Sequence, residues 1–526
     1  MAWREELNVF FKTTSIKGFK RVFDSEANVI KYLWTISIIA LFSVAGLQCY
    51  TIISNFLSYS TVTLMVQKNG DANEFPAVTI CNQNPFSFQG EISYGEYLDH
   101  LNDNIVTKHE ELLRKLLKSI DLDETEEIWL LFNNILSAKG FYTGLTPEEV
   151  GWHGHSFEKL VLDCSYFQYG GLLNVRKPCT KMANITVSHH PNFFNCYTFE
   201  LIRDQQTVNI LDITLILHNQ LRRKEIESPY SFPKLYGAKV AVHQPGTFVD
   251  VEENGIEIPP GRSSTLQLIP EEIDRLPKPH GNCISKESSP YPNLVDLGGK
   301  SLKYNYQACL YACFQQELVK QCQCIDPNLL VYININDKKQ RVCQKLTKNS
   351  SVEDVVQSVI DLNCTFTAIK DVHNCLKTCH PACSETKWDT RISYSLWPSQ
   401  RELVSFYKTI GFLQRQDILE DYGIFLEVEK LEEQGRFTEA YQLLINSSNL
   451  QENVVRIKFI NTGRDGYKKF LEVEKYNSAD VVSKLGGLLN LWCGISAVII
   501  IEVLEMIMRI ISRQTIHTNK VSTIRN

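Results

Sequence analysis

The chain of 526 residues contains no P-loop, no HExxH helix and no nucleophile elbow. It therefore lacks the phosphate cradle, the paired metal ligands and the activated serine that mark most nucleotide-using and hydrolytic enzymes. It has no internal repeat and no long low-complexity segment, which excludes solenoids and arrays. Its net charge is only -6, from 54 Lys and Arg against 60 Asp and Glu. That balance is wrong for a nucleic-acid binder, whose affinity rests on excess basic charge. The apolar stretch from Tyr32 to Ile53 has no clear small-residue cleavage site and lies too far along the chain for a simple signal peptide.

What is present is a pair of membrane-length apolar segments around a cysteine-rich middle. Tyr32 to Ile53 is almost uncharged, and Leu485 to Ile501 is apolar but continues into Glu502 and Glu505. A carboxylate in a membrane helix is costly unless it faces water, an ion or a partner. The second segment thus reads as the lining of a pore. Arg4, Lys12, Lys17, Lys20, Arg21 and Lys31 precede the first segment, and Arg509, Arg513, Lys520 and Arg525 follow the second. Basic flanks favour the cytoplasm, which puts both termini inside and the middle outside.

Two further features agree. Fourteen of the sixteen cysteines lie in the middle, an even number suited to an oxidising compartment; Cys49 and Cys493 fall within the apolar segments. The sequons at Asn184, Asn349, Asn363 and Asn446 also all lie in the middle. Cys322-x-Cys324 and the cluster Cys375, Cys379, Cys383 could ligate a metal, but in this context disulfides are the better reading. His153 and His155, in Trp152-His-Gly-His, look like a metal pair and read better as a surface turn; no metal is expected.

Between the spans, Thr107 to Ile120 carries a helical apolar stripe and Ile128 to Leu136 a second. Cys196 to Leu201, Thr207 to Leu217, Ala238 to His243 and Ser264 to Ile269 read as strands. Lys303 to Val319, Val352 to Leu362 and residues 400–450 read as helical. Gly463 to Gly466 suggests a hairpin before the second span. The class is α+β: a membrane protein with two transmembrane helices and a large disulfide-rich extracellular domain.

Several strings resemble the degenerin/epithelial sodium channel family, including the acid-sensing channels. Phe75-Pro-Ala-Val-Thr-Ile-Cys81-Asn resembles that family's strand after the first span, and Phe194-Asn-Cys196-Tyr-Thr-Phe its central palm strand. Tyr306-x2-Cys309-x3-Cys313, Cys322-x-Cys324 and Cys379-x-Pro-Ala-Cys383-x-Glu385 resemble its thumb; Gly486-Gly487 and Gly494-Ile495-Ser496 resemble its pore helix and selectivity belt. The ordered set covers nearly the whole chain. It implies a trimeric, amiloride-sensitive sodium channel of the plasma membrane, not an enzyme, with no cofactor beyond the permeant sodium ion. Each subunit would show a palm, β-ball, knuckle, finger and thumb. Residues 1–31 would be the cytoplasmic N-terminus, 32–53 the first transmembrane helix and 54–480 the extracellular domain. The finger would span about 85–165 and the thumb about 300–385 of it. Residues 481–508 would be the second transmembrane helix and pore, and 509–526 the cytoplasmic C-terminus. The resemblance also implies seven bridges: Cys81–Cys196, Cys164–Cys179, Cys283–Cys383, Cys309–Cys379, Cys313–Cys375, Cys322–Cys364 and Cys324–Cys343.

On a helical wheel of the second span, Ser483, Gly487, Asn490, Gly494 and Glu505 fall within about 40° of one line. Small residues also suit a packing seam, but this seam ends in a carboxylate, which favours a pore. In a trimer, Glu502 and Glu505 would form acidic rings that attract cations, and Gly494, Ile495 and Ser496 could present backbone carbonyls. Ile495 stands where the family commonly has a small residue.

Four positions bear on gating. Lys17-Gly18 replaces the family's cytoplasmic His-Gly, and the glycine suits a re-entrant turn; an ordinary surface lysine fits as well. The stretch from Tyr59 to Val66 has none of the titratable groups that acid-sensing relatives carry there, which argues against proton gating. Tyr59 matches a wrist tyrosine whose tryptophan partner is here His280, and Ser483 matches the small position whose enlargement should hold the channel open. The segment with Asp121, Asp123, Glu124, Glu126, Glu127, Trp129, Phe132, Phe141 and Tyr142 could hold a short arginine-bearing peptide, although its aromatics could equally be core. The chain looks most like the invertebrate branch gated by FMRFamide-like neuropeptides. Proton, mechanical or lipid gating, a constitutive leak, an ATP-gated two-span channel and a non-conducting receptor are the alternatives.

Overall fold

The computed structural model describes residues 2–16, 18–69, 75–118, 135–170, 173–202, 208–218, 235–285, 289–296, 299–333, 340–370, 373–412, 423–446, 451–462 and 466–523. The chain divides into two units. One comprises Met1–Leu64, Lys278–Gly281 and Glu472–Asn526; the other comprises Met65–Pro277 and Asn282–Leu471.

The first unit is helical. Ala2–Thr13 and Phe19–Asp24 are short helices, followed by Asn28–Leu57 at 30 residues. With a stretch of 18 residues whose mean hydropathy is 2.0, the long helix is apolar enough and long enough to cross a bilayer. It extends the 32–53 expectation by about one turn at each end, because backbone hydrogen bonding continues past the point where hydropathy fades. Its bulky side chains at Tyr32, Ile36, Ile39, Leu47 and Tyr50 are exposed, while Ala45 is buried. Rings of Phe23, Phe11 and Phe19 stack at 5.4–5.5 Å and Phe19 meets Phe42 edge-on at 6.2 Å, joining the short helices to the long one.

The second apolar segment is two helices rather than one. Ser478–Cys493 starts on an Asn477 cap that accepts from Asp480 N at 2.7 Å, and Val498–Thr523 follows. The two are bent by 72° at the intervening break. Gly494 has φ 69°, its N–H bonds back to Asn490 O, and Ile495 N bonds to Leu489 O. A glycine in the left-handed conformation ends a helix in this manner, since other residues meet a steric penalty there. The single line from Ser483 to Glu505 is thereby corrected. It assumed an unbroken helix, and the bend removes Glu505 from the line shared by Ser483, Gly487 and Asn490.

Most strands form two sheets face to face. One runs Thr61–Lys68, Tyr467–Glu474, Arg262–Asp274, Val454–Asn461, Val208–Ile216, Val161–Gly170, Leu173–Pro178, with Ser384–Leu396 added beside Arg262–Asp274. The other runs Ala183–His190, Phe194–Leu201, Ala77–Asn82, Ala238–His243, Ile256–Ile258. Their inward residues, including Val78, Ile80, Phe199, Leu211, Ile213, Leu266 and Phe459, form one buried core. Alternation along each strand sends these apolar groups to one face.

Of the expected hairpin at 463–466, residues 463–465 lie outside the described residues; the described strands on either side of it are not paired with each other. Arg262 to Leu268 pairs in parallel with Val455 to Asn461, and Glu271 to Asp274 pairs in parallel with Lys468 to Leu471. The two strands follow each other along one edge of a longer strand, whose opposite edge is filled antiparallel by Ser384–Leu396. A turn string reports a local reversal or jog; it cannot report which third strand both neighbours choose.

Helices cover the sheets. Phe86, Tyr94, Tyr97, Leu101, Phe141, Tyr142 and Phe194 make an aromatic core with Leu346, Val355 and Val359. A third core joins Trp397, Phe406, Tyr407, Phe425 and Leu444 to Leu162 and Ile216. Seven disulfides form, and they are the seven pairs named above. Cys309 and Cys313 lie one turn apart on Tyr306–Cys322, and Cys375 and Cys379 have the same spacing. Residues four apart share a helix face, so the pairs 309–379 and 313–375 form a two-rung ladder between chains running in opposite directions.

His153 and His155 correct another expectation. Both are buried rather than on a surface turn, while Trp152 is exposed. The His155 ring stacks on His218 at 5.4 Å. Burial, with His218 beside it, lowers the His155 pKa to about 3. Packing of Gly154 against Asn195, where a Cβ would lie 2.6 Å from Cγ, pulls the motif inward. Among the described residues no group of three His, Cys, Asp or Glu side chains gathers to hold a metal.

Candidate functional site

The belt Gly494-Ile495-Ser496 sits at the helix break. Helix ends leave backbone carbonyls without intrahelical partners, so the break supplies polar backbone within an apolar segment. Backbone of this kind is tolerated at membrane depth where it is buried in protein or lines water. Leading into it, Ser483, Gly487 and Asn490 are exposed on Ser478–Cys493, and a Cβ built on Gly486 or Gly487 meets nothing within 4 Å. The small and polar face is therefore uncovered within one copy of the chain. The same helix is tied to Asn28–Leu57 by Trp492 Nε1–H, which donates to Gln48 Oε1 at 2.8 Å.

The two carboxylates beyond the break are held differently. Glu502 accepts from Thr14 Oγ1 at 2.8 Å and from Ser15 N at 3.1 Å. Glu505 pairs with Arg509 one turn on, and both side chains are more than half exposed. Val9, Phe10, Thr13, Glu502, Glu505, Met506 and Arg509 line a cavity of about 320 Å³. Thr14 and Ser15 carried no signal in the sequence: they lie 488 and 487 residues from Glu502, and only folding brings them there. Just after them, Gly18 has φ 95°, and a Cβ there would lie 3.2 Å from the Ile38 side chain. The turn needs glycine for its backbone angle and for this close approach. Lys17 lies outside the described residues.

A second cluster forms where the long helix ends. Tyr59 follows Asn28–Leu57 with φ 49°, an unusual angle for a bulky residue. Its ring meets His280 edge-on at 5.3 Å, with planes at 89°. Nε2 of His280 lies 3.3 Å from Glu474 Oε1. The ring contact expected from the tyrosine and histidine positions is thus present; the carboxylate was not anticipated.

Of the ligand residues read from the sequence, Asp123, Glu126, Glu127, Trp129 and Phe132 lie outside the described residues. Phe141 and Tyr142 are 4% and 1% exposed, packed among Phe86, Tyr97 and Phe194. They are core, so their assignment as ligand contacts is corrected: aromatic content alone does not separate a core from a binding face.

The second unit does contain an open cavity of about 520 Å³, within the size range of ligand sites. Val187, Phe248, Leu302 and Leu330 give it apolar walls, and His243, Glu200, Asp296 and Lys300 give it polar ones. Glu200 accepts from Gly246 N at 2.9 Å and lies 3.7 Å from Lys300 Nζ. Burial lowers the His243 pKa to about 4, so this imidazole is neutral near pH 7. Its Nε2 lies 2.9 Å from Thr79 Oγ1. Close by, burial raises the Asp250 pKa, but contacts from His190 and Tyr311 outweigh that and hold it near 2.

Of the sequon asparagines, Asn184, Asn349 and Asn446 are exposed. Asn363 is half-buried in the helix Val352–Lys370, with Thr365 buried and Cys364 bridged to Cys322.

A family model described as amiloride-sensitive sodium channel matches residues 10–506. Similar proteins include the FMRFamide-activated amiloride-sensitive sodium channel of Cornu aspersum, 24% identical over 94% of this chain and 81% of that one. The epithelial sodium channel subunit gamma of Rattus norvegicus is 22% identical, with coverage of 96% and 81%. The bile acid-sensitive ion channel of Homo sapiens is 24% identical, with coverage of 94% and 84%.

Proposed function

The chain belongs to the amiloride-sensitive sodium channel family, and from that premise we propose that it is a subunit of a trimer opened by a short extracellular peptide of the FMRFamide type. As a sodium channel of this family it is a membrane transporter of ions and not an enzyme. In the proposed trimer each subunit spans the plasma membrane twice, with both termini cytoplasmic, and amiloride blocks the pore.

The observation that carries the pore is the break at Gly494 to Ser496 preceded by the uncovered face of Ser483, Gly487 and Asn490. Three such faces around an axis would enclose a polar path. The break would supply backbone oxygens for a dehydrating cation, which is the usual chemistry of a selectivity filter. Glu505 would stand near the path, whereas Glu502 would brace the N-terminal segment. The peptide reading draws on the FMRFamide-activated relative and on the cavity by Glu200 and Asp296. Carboxylates beside apolar walls suit a peptide bearing one guanidinium and several apolar side chains.

The test is expression alone in oocytes under voltage clamp in sodium solution. FMRFamide-type peptides should evoke an inward current that amiloride blocks. An acid-evoked current with silence to peptides would overturn the peptide reading and leave the pore standing. In a conducting channel, Glu505→Gln should alter conductance or selectivity. Permeation unchanged by that substitution would remove Glu505 from the path.

A further inference from the structure

We propose that His280, with Glu474 and Tyr59, makes the opening of this channel adjustable by external protons without making the channel proton-gated. The inference rests on the proposed channel reading but concerns a different site from the peptide's.

Three observations place the device. His280 Nε2 sits 3.3 Å from Glu474 Oε1, with the histidine side chain 15% exposed. The other face of the contact is the Tyr59 ring at 5.3 Å, held on a residue with positive φ immediately after the long apolar helix. Finally, His280 Nδ1 is buried and has no hydrogen-bond partner. The segment Lys278–Gly281 belongs to the helical unit although the chain on both sides of it belongs to the other. Tyr59 and Glu474 belong to the same helical unit, so a change at His280 acts directly on the end of the long apolar helix.

An imidazole takes up a proton in the range just below neutrality, and doing so changes both contacts. Nε2–H facing Glu474 becomes a charge-assisted bond, stronger than the neutral one. Nδ1 becomes a buried N–H with no acceptor, which favours any rearrangement that brings one. Proton uptake thus tightens one side of the ring and strains the other. A tryptophan there could do neither. The charged groups next to this contact along the chain are Lys278 beside His280, and Glu472 and Lys475 beside Glu474; Lys475 and Lys484 cover the Tyr476 ring. Glu474 is the carboxylate whose contact with His280 is direct.

The test compares wild type, His280→Trp and Glu474→Gln between pH 8 and pH 6, using peptide-evoked currents. The expected result is a shift of about two- to fivefold in half-activating peptide concentration for wild type, the size of a partly exposed ion pair, with both variants losing it. A wild-type response flat in pH, or a shift that survives in both variants, overturns the proposal. If peptides evoke nothing, the same comparison is made on the standing current of a Ser483→Trp background. If that is silent too, hydrogen exchange of residues 276–282 is followed in purified channel. Exchange that depends on pH beyond its intrinsic rate in wild type but not in Glu474→Gln supports the device; equal pH dependence refutes it. Failure of peptide gating and failure of the proton device are thereby read separately.

Discussion

The two units hold long elements in place by different chemistry. The sheet unit carries all seven disulfides and three large apolar cores. The helical unit carries the two cysteines that stay free, Cys49 and Cys493. Its elements are joined by one run of phenylalanine rings and by single polar contacts: Trp492 to Gln48, Thr14 and Ser15 to Glu502, and His280 to Glu474. A covalently braced body keeps its shape when a ligand arrives. A body joined by contacts worth about 1 kcal/mol each can exchange one arrangement for another at small cost. The difference bears on the proposed gating, which would need one part of the chain to keep its shape while another rearranges.

The strongest way to break this comparison is to unbrace the sheet unit. Replacing Cys309 and Cys379 together by Ser opens a loop of 70 residues, at a cost of about 4 kcal/mol by chain entropy. Surface expression and the unfolding temperature should both fall. Cys49→Ser with Cys493→Ser should change neither, and a large loss there would erase the contrast between the units.

Acid should also distinguish them. His155 is buried with its pKa lowered to about 3, while an unfolded histidine titrates near 6.5. The unfolded chain therefore binds more protons below pH 6.5, and stability falls as pH drops from there towards 3, by about 1.4 kcal/mol per unit. Thermal unfolding of the purified protein at pH 7, 6 and 5 measures this decline. His155→Gln should flatten it if the variant folds.

Gly494→Ala tests the break. An alanine at φ 69° costs about 1–2 kcal/mol, and relief of that strain would extend the helix through the belt. Sodium over potassium permeability should drop while surface expression holds. The smallest effect is expected at the N-terminal brace. Thr14→Val should shift the opening equilibrium by about fivefold, the worth of one hydrogen bond, and Glu502→Leu by more, since it also loses the Ser15 contact. The double variant should shift it no further than Glu502→Leu alone, because loss of the carboxylate already removes the Thr14 contact. Additive shifts would show that the two residues act separately.

Much of this architecture was legible in local sequence. The span 32–53 and the strands at 238–243 and 264–269 follow from hydropathy and alternation over a few residues, and all lie within observed elements. The glycine of Gly494-Ile495-Ser496 marked the place where the helix ends. What failed did so for want of tertiary information. The wheel through Glu505 required a straight helix. The Trp152-His-Gly-His string looked like a turn because nothing local reveals that Asn195 packs against Gly154. Phe141 and Tyr142 looked available because an aromatic residue reads alike in a core and in a binding face.

By itself the sequence determined the apolar lengths, the cysteine spacings and the ordered strings that place the chain in its family. Each of these is set by neighbours along the chain, through hydropathy and backbone preference. Only the tertiary structure decided that Thr14 meets Glu502, that Glu474 meets His280, and that two consecutive strands share one parallel edge. Those outcomes depend on which surfaces exclude water together, and residues hundreds of positions apart share no local signal of that choice.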